Sequence, residues 1–150
     1  MARKKGHRTT QVRVNVEAEK ASIKSVLDNC VKAIENSDIE SFSKLWAHVP
    51  DILVLGTDAG ERLVGWDALK KAIQEQWAAF PHVKTTMSDV TVHLLSGGRS
   101  AWATSLTAFK ATVAATGQEI EISTRDTWVL EKRNKGWVIV HVHHSVGRTA

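Results

Sequence analysis

The hydrophobic pattern of this chain changes its period once, near Pro81, and this change constrains the fold more than any other feature. Before Pro81, apolar residues recur every three or four positions, as they do on one face of a helix. Beyond Pro81 the period falls to two, which is typical of β-strands. Because helices and strands are segregated along the chain, the pattern predicts an α+β fold with helices packed on one face of a sheet.

Three helices and a short hairpin are predicted before the change of period. The run Ser37-Asp38-Ile39-Glu40 has the spacing of a capping box that opens the second, short helix. The two longer helices each have one apolar face, and two short strands joined by a turn lie between them. The longer helices are expected over residues 17–36 and 66–80, and the strands over residues 51–56 and 61–65.

Four long strands are predicted after the change, and glycine-containing turns separate them. A strand of about 15 residues would span about 50 Å, which is too long to stay flat over a small helical layer. We therefore expect a strongly curved, mostly antiparallel sheet, helped by bulges, which forms a cone-shaped barrel with the helices. The strands are expected over residues 83–95, 99–115, 118–132 and 136–146.

Charge and length predict one domain with a basic tail. The net charge of +4 is concentrated in residues 1–13, which hold five Lys or Arg and no acid. We expect residues 1–16 to be a flexible tail, with nucleic acid its less favoured partner, and residues 17–150 to be a single domain. The sequence has neither a secretory signal nor a membrane-length apolar run, and it has a single cysteine, Cys30. These features predict a cytoplasmic protein without a membrane partner.

The last strand ends in three imidazoles and a hydroxyl, contributed by His141, His143, His144 and Ser145. Strict alternation would place His141, His143 and Ser145 on one face with Trp137 and Ile139, and His144 on the other face. Imidazole can act as a general acid or base, or bind an anion. A structural role, with each ring hydrogen-bonded to its surroundings, is an equally open alternative. Nothing in the sequence places a third ligand beside two histidines, so we predict no metal and no cofactor.

Arg125 and Asp126 place two charges in the middle of an otherwise apolar strand, where burial is costly without partners. Adjacent residues of a strand point to opposite faces, so the two side chains cannot pair with each other. Each therefore needs a partner on its own face, which could be a histidine, a ligand or a second subunit. A structural ion pair at the more hydrated end of the strand is the simpler alternative.

Apolar residues on both faces of the long strands predict self-association. One face is covered by the helices, and an exposed apolar face on the other side would favour a second copy. We therefore expect a homodimer across the open sheet face. The chain has six tryptophans and no tyrosine, so a mechanism that needs a phenol is excluded.

The sequence resembles the nuclear-transport-factor-2-like superfamily, in its SnoaL-like, ketosteroid-isomerase-like branch. This resemblance implies a cone-shaped α+β barrel with a deep pocket, commonly dimeric across the sheet. It also implies a group that includes isomerases, cyclases, dehydratases and hydrolases, as well as non-catalytic binding and assembly domains. It extends over about residues 17–146, and the runs that carry it are residues 37–40, 51–58, 65–69, 125–127 and 137–145.

The resemblance also marks two pocket positions. Trp128 and His144 lie where the association domain of calcium/calmodulin-dependent kinase has cavity arginines. The carboxylate base and Tyr-centred oxyanion hole of ketosteroid isomerase cannot be transferred, because this chain has no tyrosine.

Three functional hypotheses follow. The first is a domain that binds a small, largely apolar molecule; the second is an isomerase or lyase with a carboxylate base and a histidine oxyanion donor. The third is a dimeric assembly module. The catalytic candidates are Asp58, Asp126 and His143. The ligand-binding candidates are Trp46, Trp66, Trp102, Arg125, Trp128, His141, His143 and His144.

Overall fold

A computed structural model describes residues 14–134 and 136–148. The basic segment 1–13 and Lys135, which belongs to a predicted turn, lie outside the described residues. The helices are α1 (Val16–Glu35), α2 (Ile39–Leu45) and α3 (Trp66–Ala79). The strands are β1 (Leu53–Leu55), β2 (Arg62–Val64), β3 (His82–Leu94), β4 (Ser100–Thr112), β5 (Glu119–Arg133) and β6 (Gly136–Val146).

The six strands form one mixed sheet in the order β2-β1-β6-β5-β4-β3. Strand β1 runs parallel to β6, and the other neighbouring strands are antiparallel. The sheet is not closed, because β2 and β3 are its two edges. The predicted α+β class, with three helices on a mostly antiparallel sheet, is confirmed.

The helices cover one side of the sheet, which we call the inner face; the opposite side is the outer face. Helix α1 crosses the inner face diagonally. Near its start, Glu19 Oε2 accepts a hydrogen bond of 2.6 Å from Trp137 Nε1 on β6. At its end, Glu35 accepts one of 2.7 Å from the backbone N–H of Thr85 on β3. The core lies between this helical layer and the sheet, and includes Ile23, Leu27, Phe42, Trp46, Trp77, Leu130 and Ile139.

A bulge in β6 changes which residues face the helices. Leu130 pairs with Ile139 while Val129 pairs with His141, so Val140 is the additional residue. As a result, Trp137 and Ile139 share the inner face with Val142 and His144. The strict alternation expected from the sequence was therefore wrong at this point, because one extra residue moves every side chain beyond it to the opposite face.

Candidate functional site

The inner face carries one polar cluster within an apolar core. Among the described residues, Ser105 and Asp126 are the only buried polar or charged ones. They lie directly opposite each other on β4 and β5, and Asp126 also pairs in register with His144 on β6. We call Ser105, Thr107, Asp126, Trp128 and His144 the inner cluster.

The Asp126 carboxylate is the centre of the inner cluster. Its Oδ1 accepts a hydrogen bond of 2.7 Å from His144 Nδ1. Its Oδ2 accepts one of 3.1 Å from Ser105 Oγ and one of 2.5 Å from Thr107 Oγ1. The Asp126 side chain is 0% exposed and that of His144 is 30% exposed. A ligand could therefore reach the imidazole but not the carboxylate.

The surroundings of Asp126 keep it ionised. Burial alone would raise the pKa of the carboxyl, but hydrogen bonds from His144 and Thr107, and the charge that His144 can carry, outweigh burial. The pKa of Asp126 is therefore lower than its ordinary value. Because a carboxylate only accepts hydrogen bonds, Nδ1 of His144 must donate the hydrogen. In the neutral ring, Nε2 then has a free lone pair.

Trp128 contacts the other residues of the inner cluster through a hydrogen bond and through ring packing. Its Nε1 donates a hydrogen bond of 3.0 Å to Ser105 Oγ. Its ring also packs edge-on against the His144 ring, with centroids 5.8 Å apart and planes at 87°. Trp128 is buried and is also part of the hydrophobic core.

Aromatic residues of the helical layer lie on the same side of the sheet. Phe80, at the end of α3, meets Phe109 of β4 edge-on at 6.1 Å between centroids. Trp46 and Trp66 both pack against Phe42, at 5.9 and 6.2 Å. Trp46 is buried, whereas Trp66 is partly exposed and stacks on His48 at 4.3 Å. The interior is therefore rich in aromatic surface.

Several predicted site residues lie on the outer face instead. Arg125 and His143 border a hollow of about 470 Å³ together with Asp89, Thr104, Leu106, Thr127 and Ser145. Ser105 and Asp126 also border this hollow, although their side chains are hydrogen-bonded on the inner face. Trp102 lies on the outer face, where it stacks on His93 at 5.0 Å. These residues cannot share a site with Trp128 and His144.

Two further predicted site residues, His141 and Asp58, lie apart from the inner cluster and from the site residues on the outer face. His141 Nδ1 donates a hydrogen bond of 2.8 Å to the carbonyl of Leu53, which ties β6 to β1. Asp58 is exposed in the turn between β1 and β2, where its carbonyl accepts a hydrogen bond from the Glu61 N–H. The structure therefore does not bring Asp58, Asp126 and His143 together.

A second hollow, of about 600 Å³, lies between the end of α1 and the ends of β3, β4 and β5. Its lining includes Glu35, Lys84, Lys110 and Glu121, and none of the predicted site residues. Within the described ranges, no three His, Cys, Asp or Glu side chains are grouped so that they could hold a metal ion. No helix in the same part of the chain is long and apolar enough to cross a membrane.

Sequence reasoning missed Ser105 and Thr107. Their signal was present, because these two hydroxyl residues lie two positions apart on an otherwise apolar face of β4. It also named His143 among the catalytic candidates and His144 among the ligand contacts. The structure puts His144, and not His143, beside Asp126.

The fold and the inner cluster define a class of protein, an α+β cone with polar groups on the helix-facing side of its sheet. Within that class, residues 23–149 match the model of the SnoaL-like domain, and the chain belongs to this family. No curated protein sequence matches the chain.

Several solved structures are similar to this fold. A nuclear-transport-factor-2-like superfamily protein from Salmonella enterica serovar Typhimurium is 21% identical, with a TM-score of 0.82, over 90% of this chain and 95% of that one. A candidate scytalone dehydratase from Novosphingobium aromaticivorans is 15% identical, with a TM-score of 0.80, over 90% and 88%. The hexachlorocyclohexane dehydrochlorinase LinA-type3 from Novosphingobium barchaimii is 12% identical, with a TM-score of 0.75, over 90% of each chain. Likeness at these identities establishes the shared fold.

Proposed function

We propose that this protein binds a small, neutral, largely apolar molecule against the inner face and that His144 removes a proton from it, as a lyase or an isomerase. The observation that carries this proposal is the Asp126–His144 pair. A fully buried, ionised carboxylate orients a half-buried imidazole whose Nε2 has no hydrogen-bond partner among the described residues. Such an imidazole is suited to general-base catalysis.

The roles of the two residues follow from their exposure. Asp126 is enclosed by Ser105, Thr107 and His144, so it acts through the imidazole and not on the substrate. His144 is therefore the catalytic residue and Asp126 its positioning residue. In the hypothesis drawn from the sequence, a carboxylate was the base and a histidine was the oxyanion donor. The present assignment differs, because His144 is the base.

The proposed substrate class follows from the charges and surfaces of the interior. Asp126 is the only charged residue among the buried ones described, so the interior offers no buried cation to hold a carboxylate or a phosphate. The aromatic side chains on the same side of the sheet favour an apolar molecule. A neutral compound with an acidified C–H bond fits both conditions.

The proposed reaction begins with cleavage of the C–H bond, and the proton goes to Nε2 of His144. In an elimination, the released electron pair forms a C=C bond as a leaving group departs with its own pair from the adjacent carbon. In an isomerisation, the pair moves towards a carbonyl oxygen and the proton returns at another carbon. The names of two structural neighbours, a dehydratase and a dehydrochlorinase, denote eliminations and support the lyase alternative.

The test measures proton removal directly. The protein is incubated in D₂O with a panel of neutral cyclic ketones and chlorinated cycloalkanes, and solvent exchange and product formation are followed by NMR. His144→Gln is expected to lower the rate by about 100-fold or more, the range of general-base contributions. His143→Gln is the matched control, because its ring is adjacent in sequence but lies on the outer face, and its rate should stay within about twofold of wild type.

Equal rates for His144→Gln and wild type would overturn the assignment of His144. A wild-type protein that retains a small molecule in native mass spectra, but exchanges no proton of that molecule, would overturn catalysis and support the binding hypothesis alone.

We also propose that the chain forms a homodimer through the outer face. Trp102 and Leu106 are 37% and 44% exposed there, which is unusual for large apolar side chains in the middle of a strand. Asp89 and Arg125 supply opposite charges on the same surface. A surface with these properties is complementary to a second copy of itself.

A further inference from the structure

The accessibility of the inner face changes at the row that Ser105, Asp126 and His144 form across β4, β5 and β6. Towards the start of β6, the next two rows of inner-face residues are buried and belong to the core. These rows consist of Val142, Trp128 and Ala103, and then of Ile139, Leu130 and Ala101. A molecule that contacts His144 therefore has no accessible surface on this side of the row.

The opposite side of the row is more open. The pairing of β4 with β5 continues without a register shift, so the next inner-face rows are Thr107 with Thr124 and Phe109 with Ile122. All four residues are partly exposed. Residues of one strand that share a face are about 7 Å apart, so Phe109 lies about 14 Å from the row of His144. A bound molecule would therefore extend from His144 towards Phe109.

Two phenylalanines meet at the end of this direction. The Phe80 ring, at the end of α3, packs edge-on against the Phe109 ring with centroids 6.1 Å apart. Ala111 is the next inner-face residue of β4, and it lines the second hollow of about 600 Å³ together with Pro81, which directly follows Phe80. Along β4, the aromatic pair therefore lies between the second hollow and the inner cluster.

The second hollow has the size and the floor of a subsite for an apolar group. Its volume lies within the range of about 300–1,000 Å³ that is typical of ligand pockets. The inner-face residues that line it form one apolar row across three strands, Val83, Ala111 and Ile120. Lys110 and Glu121 also border the hollow, and their charges pair with each other at 3.7 Å.

We propose that Phe80 and Phe109 are specificity-determining residues, because their contact limits how far a bound molecule can extend from His144 along the inner face. The second hollow is then the space that the two rings close off. The wild-type ligand is a compact neutral molecule no longer than about 14 Å. This inference rests on the proposed function, since it takes His144 as the reacting end of the site.

The experiment measures binding to the full chain by isothermal titration calorimetry. The probes are neutral 4-alkylcyclohexanones whose tails range from methyl to octyl. Each buried methylene should tighten binding about fourfold, which corresponds to about 0.8 kcal/mol, until the tail reaches the aromatic pair. In wild type, this gain should stop at a limiting tail length within the series.

Phe80→Ala and Phe109→Ala should each open the way into the second hollow. Affinity should then continue to rise beyond the wild-type limit. A tail two methylenes longer than that limit should bind either variant about 15-fold more tightly than wild type.

Phe109→Trp is the matched variant of opposite sign, because a larger ring should stop the gain at a shorter tail. A general loss of stability would not move Phe109→Ala and Phe109→Trp in opposite directions. Leu106→Ala removes an apolar side chain from the outer face of the same strand, and it should leave the limiting tail length unchanged.

The same limiting tail length in wild type, Phe80→Ala and Phe109→Ala would overturn this inference and leave the proposed function unaffected. If Phe109→Ala fails to fold, Phe80→Ala decides the question alone, since its ring lies at the end of a helix. The expected shifts in tail length without solvent exchange of the probe's protons would support this inference and contradict catalysis by His144. Wild type and variants that bind none of the probes would contradict both.

Discussion

At the scale of single residues, Asp126 determines the chemistry of the inner face. Its carboxylate has three donors around it, so it can remain ionised where burial would otherwise neutralise it. The sequence predicted that Asp126 and Arg125 would each need a partner on its own face. The structure supplies His144 for Asp126, whereas Arg125 has no ion pair within the described ranges.

Asp126→Asn should destabilise the protein by about 2–3 kcal/mol at neutral pH, because it weakens charge-assisted hydrogen bonds in a buried site. The lowered pKa of Asp126 makes this contribution pH-dependent. A carboxyl whose folded pKa lies below its unfolded value of about 3.9 adds stability above that value, and the added stability is lost as the pH falls through the folded pKa. Urea unfolding at several pH values between about 3 and 7 should therefore show the variant and wild type converging in acid.

Asp58→Asn is the control for this prediction, because it makes the same change at an exposed carboxylate in the turn between β1 and β2. It should unfold at nearly the same urea concentration as wild type. A constant difference between Asp126→Asn and wild type over the whole pH range would contradict the assigned role of the carboxylate.

At the scale of elements, most of the fold could be predicted from the sequence, because glycine turns and the change of period are local signals. The start of α2 was predicted correctly, but its N-cap is Asp38 and not Ser37. The Asp38 side chain accepts a hydrogen bond from the Ser41 N–H. The bulge at Val140 could not be located. Both faces of β6 are largely apolar, so the pattern contains no break in alternation that would reveal an extra residue. For this reason the choice between His143 and His144 needed the structure.

The contact of α1 with β5 and β6 supplies a second prediction. The Glu19 carboxylate forms an ion pair with Lys132 and accepts a hydrogen bond from Trp137 Nε1. Both contacts lower the pKa of the Glu19 carboxyl, and the hydrogen bond from Lys132 has the larger effect. Glu19→Gln should lower the free energy of unfolding by about 1–2 kcal/mol, because it removes the charge from both contacts. Hydrogen exchange at the start of β6 should be faster in the variant. Glu17→Gln, an exposed change on the same turn, should have no such effect.

At the scale of the whole molecule, the two faces of the sheet differ in the side chains that they present. The inner face holds the inner cluster and the aromatic residues of the core, and the outer face presents Trp102, Leu106 and a pair of opposite charges. Leu106 of β4 pairs with Arg125 of β5 on one side and with Ser88 of β3 on the other. Asp89 follows Ser88 in the bulge of β3. Since neighbouring strands are about 4.8 Å apart, the backbones of Asp89 and Arg125 are about 10 Å apart across β4. A two-fold axis that runs along β4 near Leu106 would bring Arg125 of each copy over Asp89 of the other.

This arrangement predicts a charge-reversal rescue. Arg125→Asp and Asp89→Arg should each weaken self-association at least tenfold, because each places like charges opposite one another at the interface. The double variant exchanges the two charges and should restore the wild-type dimer, as measured by sedimentation equilibrium. Lys24→Glu, on the exposed side of α1, is the control and should leave the dimer unchanged. A wild-type protein that is monomeric at high concentration would contradict the dimer. A double variant that dissociates as readily as the single variants would contradict the pairing of Asp89 with Arg125. If these two residues face each other across the interface, exchanging their charges must restore the attraction between them.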